Sequence, residues 1–261
     1  MENRKVRYGR NPSAGHYVQS DDAKIYYEVY GEGDPVILLH GGMFGSPEEY
    51  AELAADLVNN HQLILIATRG HAQSEIGHSL PTYEKKAEDV KAVMDDMHLV
   101  KAGFIGFSDG AYTAYTFIQK YPDMADFIVS MGAGIWKKGF VQGGRKDLHS
   151  FKDCIDMAPD MWKDQLENVR PEPERAEEWF DSMLEAFAET EYKKEVFENM
   201  HVPALLIVGE KDANAPMDSV IEAYSGMDNA QLGVIPNAPH TLMMSDYPVV
   251  REMILKFLSE R

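Results

Sequence analysis

Of 261 residues only one, Cys154, is a cysteine, so no internal disulfide can form. The neighbours of Cys154 make no Cys/His nucleophile pattern, and the thiol reads as inert. Long apolar runs are also missing. The longest, "PVILLHGG" and "PALLIVGE", fall far short of the roughly 20 residues that a membrane helix needs. The opening stretch "MENRKVRYGRNPSAGHYVQS" contains no apolar core of a secretory leader. Basic charge is scarce: 25 Lys and Arg stand against 43 Asp and Glu, a formal net charge of -18. That balance disfavours nucleic acid and anionic membrane surfaces as partners, since both select a basic face. No two histidines sit at metal-ligand spacing on one helix, so no metal is expected. Internal repeats, low-complexity tracts and flexible linkers are absent as well. These absences lead to the expectation of a cytoplasmic protein that acts on a small molecule, as a monomer or a homodimer.

Hydrophobic residues make up 44% of the chain and charged residues 26%, the balance of an ordinary globular protein. The alternating stretches "GHYVQS" and "AKIYYEVYGEG" read as half-buried strands. After the Gly31, Gly33, Asp34-Pro35 turn comes "VILLH", a continuous apolar run typical of a strand buried on both faces. "HQLILIAT", "KAGFIGF", "ADFIVSMGAG", "PALLIVGE" and "AQLGVIP" follow as further strands. Helical patterns lie between them: residues 46–59, 82–98, the run after Phe107, 217–224, and the final "YPVVREMILKFLSE". In the second of these, Ala87, Val90, Val93, Met94 and Met97 share one face. Alternation of this kind predicts an α/β fold, a mostly parallel sheet with helices on both faces. It breaks between residues 135 and 200, where only polar, helix-like segments occur. The expected organisation is therefore a core of residues 1–134 and 201–261, interrupted by an insertion at 135–200.

The run "GFSDG", residues 106–110, sits where a predicted strand meets a predicted helix. Turn or helix-cap chemistry accounts for such residues in general. In this context, however, Gly-x-Ser-x-Gly is the pattern of a nucleophile elbow, with Gly106 and Gly110 leaving room around a tight turn. Ser108 would then stand at the helix N-terminus, where the dipole favours developing negative charge. A serine hydroxyl needs a base, and the base needs an orienting acid. "LLIVGEKDANAP" places Asp212 just beyond a buried strand, with Glu210 and Asp218 as nearby competitors. "VIPNAPHTLMMSDYP" places His240 just beyond the last strand. All three lie at the sheet edge where α/β folds gather their ligand sites. The loop "LLHGGMFG" supplies a backbone N–H for an oxyanion hole, at Gly42 first or Met43 second, to join the N–H of Asp109. His40 reads as a packing residue, and His71 and His78 as residues of a surface loop.

With "HGG" at 40–42, "GFSDG", "GEKD" at 209–212 and "PH" at 239–240 in that order, the chain resembles the α/β-hydrolase family over nearly its whole length. The resemblance implies an eight-stranded sheet with a helical cap at 135–200. It also implies a nucleophile at Ser108, a general base at His240 and its partner at Asp212, with no cofactor. Asp109, Phe44 and Trp136 are the side chains expected to meet substrate. "SDG" resembles the elbow of the valacyclovir-hydrolase-like enzymes, where such an Asp implies recognition of an α-amino group. One stretch departs from the family: "TRGHAQS" has Thr68 and Ala72 where relatives carry Asp and Gly, which puts that local turn in question. The expected activity is hydrolysis of a small carboxylic ester, thioester or lactone. Carbon–carbon bond hydrolysis and cofactor-free perhydrolysis run on the same triad, and a catalytically silent binding protein is the alternative of another class.

Overall fold

The computed structural model describes residues 6–158 and 160–261. Eight strands form one sheet: β1 (Gly15–Ser20), β2 (Ala23–Tyr30), β3 (Asp34–Leu39), β4 (His61–Ile66), β5 (Ala102–Phe107), β6 (Ala125–Met131), β7 (Ala204–Gly209) and β8 (Ala230–Ile235). Their spatial order is β1-β2-β4-β3-β5-β6-β7-β8. Strand β2 runs antiparallel to both β1 and β4, and every later pairing is parallel. The helices are α1 (Ala51–Leu57), α2 (Tyr83–Asp96), α3 (Asp109–Lys120), α4 (Phe151–Met157), α5 (Asp160–Asn168), α6 (Ala176–Glu189), α7 (Lys194–Glu198), α8 (Met217–Gly226), α9 (Leu242–Ser245) and α10 (Tyr247–Ser259).

The continuous apolar runs follow from burial on both faces. All six residues of β5 and of β7 are buried. Alternate residues of a strand point to opposite faces, and the two faces feed separate cores. Ile37, Leu39, Phe104, Ile128 and Leu206 pack with α2, α3 and α8. Val36, Leu38, Ile105, Val129, Leu205 and Ile207 pack with α1 and α10. The first core continues without a break into residues 135–200 through Trp136, Trp179, Phe180, Met183 and Phe187. That stretch is helical, with no strand among its described residues. Its ends are tied together, because Trp136 and Tyr192 exchange two backbone hydrogen bonds of 3.0 and 2.8 Å.

The segment expected to be one helix over 46–59 is divided. A single 3-10 turn covers Pro47–Tyr50 and α1 begins at Ala51. The Tyr50 hydroxyl reaches back to the Leu39 carbonyl at 2.9 Å, which anchors the turn beneath the end of β3. The "TRGHAQS" turn forms despite its substitutions. Gly70 N–H donates to Glu75 O at 2.9 Å and Ser74 Oγ to Ala67 O at 2.7 Å. Ala72 takes the left-handed conformation, φ +46°, that a glycine holds at lower cost.

Candidate active site

Ser108 occupies the single residue between β5 and α3. Its φ of +50° and ψ of -113° lie outside the regions comfortable for a side-chain-bearing residue. Such strain persists only where the surroundings fix it, and here they do. Ser108 N–H donates to Met131 O at 2.8 Å, and Ser108 O accepts from Ala111 and Tyr112 at 3.0 and 3.1 Å. The two glycines are spatial necessities: a Cβ on Gly110 would lie 1.9 Å from Leu39 O, and one on Gly106 would lie 2.6 Å from Ala111 Cα.

The loops after β7 and β8 bring two further side chains to this turn. The Ser108 hydroxyl donates to Nε2 of His240 at 2.9 Å, and Nδ1–H of His240 donates to Oδ2 of Asp212 at 2.8 Å. The assignment of protons follows from the carboxylate, which accepts only and so fixes the hydrogen on Nδ1. The other oxygen of Asp212 accepts from Asn214 and Ala215 N–H, both at 2.8 Å, which locks the carboxylate plane. The Asp212 side chain is wholly buried and that of His240 is 14% exposed. Of the competing acids, Glu210 is exposed and accepts from Asn237 N–H, and Asp218 is exposed at the start of α8. Gly132, at φ +62°, completes the fit, since a Cβ there would stand 2.9 Å from the His240 ring.

The loop after β3 is held beside the elbow by a neutral histidine. His40 is fully buried; its Nδ1–H donates to Gly41 O at 2.7 Å and its Nε2 accepts from Thr68 N–H at 3.0 Å. Burial pulls its pKa down to about 4, which preserves the acceptor at neutral pH. Gly41 N–H is already used, donating to Glu49 Oε2 at 2.8 Å. The N–H groups of Gly42, Met43 and Asp109 have no backbone acceptor among the described residues. Gly42 lies against Asp109, where an added Cβ would come within 3.0 Å of the Asp109 Cβ. Met43, at φ +57°, turns the loop. His71 corrects an expectation. It is buried rather than on a surface loop, because its Nδ1 meets Thr68 Oγ1 at 3.0 Å and the Trp179 ring of α6 covers it at 5.0 Å. Desolvation there lowers its pKa well below the ordinary value. His78 is exposed, as expected. Cys154 is buried, and burial raises its thiol pKa to about 12.

Ser108 and His240 open into a cavity of about 280 Å³. Gly42, Met43, Phe44 and Asp109 line it, together with Gln142, Arg145, Trp162 and Phe187 from the insertion. Trp136 does not line it. That ring packs at 5.8 Å from Phe187 and lies beneath the Arg145 guanidinium at 5.6 Å, so it supports two lining side chains instead of meeting the space. The Asp109 carboxylate is already engaged. Both its oxygens accept from Lys86 Nζ, at 2.8 and 2.7 Å, and both side chains are buried. An α-amino group would have to displace that partner. Three charged residues here escaped the sequence reading: Lys86, Glu49 and Arg145. Lys86 directly precedes Ala87 on the apolar face of α2, a position that hinted at burial without naming its partner. Among the described residues no group of three or more His, Cys, Asp or Glu is placed to hold a metal ion, and no helix is long and apolar enough to cross a membrane.

A family model described as alpha/beta hydrolase fold matches residues 34–195. The chain is 27% identical to AB hydrolase superfamily protein YisY of Bacillus subtilis (strain 168), over 93% of its own length and 98% of that protein. It is 23% identical to 2-hydroxy-6-oxononadienedioate/2-hydroxy-6-oxononatrienedioate hydrolase 1 of Pseudomonas putida, over 91% and 93%. Among solved structures, a thermophilic esterase from Thermogutta terrifontis superposes with a TM-score of 0.76 at 19% identity, covering 94% of this chain and 98% of that one.

Proposed function

Because the chain belongs to the alpha/beta hydrolase fold family, we propose that it is a serine hydrolase cleaving a small carboxylic ester, thioester or lactone through an acyl-enzyme on Ser108. The observation that carries this reading is the unbroken hydrogen-bonded line from Asp212 through His240 to Ser108 at the mouth of a cavity. His240 takes the hydroxyl proton as Ser108 Oγ attacks the carbonyl carbon. The buried Asp212 stabilises the imidazolium that forms. The negative oxygen of the tetrahedral intermediate is held by the N–H groups of Gly42 and Asp109, with Met43 next in line. Each such donor contributes about 3 kcal/mol of barrier lowering. His240 then protonates the leaving group, and a water activated by the same ring releases the acid. This chemistry calls for no cofactor. Residues 135–200 act as a cap over the cavity, a role supported by the four side chains they contribute to its wall.

Hydrolysis of p-nitrophenyl acetate, butyrate and octanoate by the wild type and by Ser108→Ala tests the reading. Activity confined to the wild type is expected, with labelling of Ser108 by a fluorophosphonate probe. A protein that neither turns over nor takes the probe belongs to the silent binding class. A second reading is carbon–carbon bond hydrolysis, favoured by relatives such as the 2-hydroxy-6-oxononadienedioate hydrolase. A protein that takes the probe but leaves all three esters intact supports that alternative.

A further inference from the structure

The charged groups around the cavity are unevenly paired, and Asp212 is met by the His240 ring. Asp109 is matched by Lys86. Glu49 accepts from Gly41 N–H, and burial pushes its carboxyl up to about 7, toward the neutral form. Arg145 has no such counterpart. Among the described residues no carboxylate lies within 4.0 Å of it, and its Nε is buried without a hydrogen-bond partner. Its guanidinium carbon lies over the Phe187 ring, 4.3 Å from the centroid, and over the Trp136 ring at 5.6 Å. Cation–π attraction of that kind holds the head group in place and uses none of its N–H donors. The backbone beneath is fixed too. Arg145 ends a short 3-10 turn, Gly143–Arg145, whose Gly143 N–H donates to Ala213 O at 3.0 Å and whose Gly144 N–H donates to Asn214 Oδ1 at 2.6 Å. Ala213 and Asn214 directly follow Asp212, so the turn bearing Arg145 is bolted to the loop that bears the catalytic acid.

The guanidinium borders the cavity and its terminal nitrogens make no hydrogen bond among the described residues, so a ligand that supplies the acceptor offsets the desolvation of the charge. A planar carboxylate matches the guanidinium edge. We propose that Arg145 is the specificity residue that receives a carboxylate carried by the substrate. This rests on the reading of Ser108 as a hydrolytic nucleophile. The preferred substrate is then a small anionic ester whose carboxylate lies in either the acyl part or the leaving group.

Two matched pairs test the proposal and separate those two placements. For the acyl side, 4-nitrophenyl hydrogen glutarate is compared with 4-nitrophenyl 5-methylhexanoate, whose isopropyl end copies the carboxylate in shape. For the leaving group, 4-carboxyphenyl butanoate is compared with 4-isopropylphenyl butanoate. In one pair the wild type should favour the anion at least tenfold in kcat/KM. Arg145→Met should reduce that ratio at least tenfold, and Arg145→Lys should retain part of it. A ratio unmoved by Arg145→Met in both pairs overturns the proposal. Binding without turnover is measured by titrating monomethyl glutarate into Ser108→Ala and into Ser108→Ala/Arg145→Met. Affinity at least tenfold weaker in the second protein is expected, and equal affinity overturns the proposal. Because this arm needs no catalysis, it judges Arg145 even if none of the esters is cleaved, which is the outcome that counts against the ester reading itself.

Discussion

Gly132→Ala tests whether the backbone after β6 sets the position of the His240 ring. Two separate costs arise from one added methyl. The left-handed conformation, φ +62°, costs a side-chain-bearing residue about 1–2 kcal/mol. The methyl would also lie 2.9 Å from His240 Cε1, 3.0 Å from Nδ1 and 3.3 Å from Asp212 Oδ2. Ordinary contact begins near 3.4 Å, so the ring must retreat by about 0.5 Å. That retreat works against hydrogen bonds of 2.8 and 2.9 Å. Since a displacement of about 1 Å costs on the order of 100-fold in rate, half of it should cost about tenfold in kcat. The melting temperature should fall by about 2–8 °C, given about 2–4 °C per kcal/mol for a chain of this size. Gly139→Ala is the control: φ is +79° and nothing lies within 4 Å, so it carries backbone strain alone. Thermal melts and saturation kinetics on a p-nitrophenyl ester are run on both variants. Gly139→Ala should lower the melting temperature and spare kcat. If Gly132→Ala also spares kcat while melting earlier, the ring has room to yield and the reasoning about its placement is refuted.

Three other perturbations follow from the same site. Asp212→Asn presents an amide to Nδ1 and favours the wrong tautomer of His240; kcat should fall by on the order of 10⁴ with the fold intact by circular dichroism. Lys86→Met leaves the Asp109 carboxylate buried and unpaired, which should cost about 3–5 kcal/mol and lower the melting temperature by about 10 °C. The double variant Lys86→Met/Asp109→Asn should recover more than half of that, and a double variant as unstable as the single one would discount the pair. Glu49 titrates near 7 when folded and near 4.5 when unfolded, so the folded state binds the extra proton between those values. Its contribution is present below about pH 4.5 and is lost as pH rises through 7. Relative to wild type, Glu49→Gln should gain on the order of 3 kcal/mol between pH 5 and pH 8, read as a shift in urea midpoint; a pH-independent difference would contradict the raised acid.

The strands were the most legible part of the chain, because burial on both faces writes an unbroken apolar run into β3, β4, β5 and β7. The Ser108 and Asp212 positions were legible for a related reason, since each lies one to three residues beyond such a run, whereas His240 follows the half-exposed β8 and was picked out by its place after the last strand. What could not be read is what depends on distance in space. Lys86 and Asp109 are 23 positions apart, and nothing local shows that one lysine on α2 answers the carboxylate at the elbow. His71 looked exposed because the chain around it is polar. Its cover, Trp179, comes from an insertion whose path no periodicity reveals. Trp136 and Arg145 are exchanged in the same way. The aromatic ring suggested a pocket wall, yet it lies beneath the cation that forms the wall. The split at Pro47–Tyr50 depends on a hydroxyl reaching back to Leu39, which helix propensity alone does not register.

The two backbone hydrogen bonds between Trp136 and Tyr192 close a neck at the base of the inserted segment. Closure entropy for the β6–β7 crossover is then set by the short lengths of chain on either side of the neck, and no longer by the whole excursion. Residues gained or lost above the neck change only a loop whose ends already meet, at a cost that grows with the logarithm of its length. The bonds are main chain to main chain, so they outlast changes of side chain at both positions. The sheet can therefore carry an inserted segment of altered length or sequence while its own strand register stays as it is, and exchanging the stretch between Trp136 and Tyr192 is the natural unit for recombination between members of the fold.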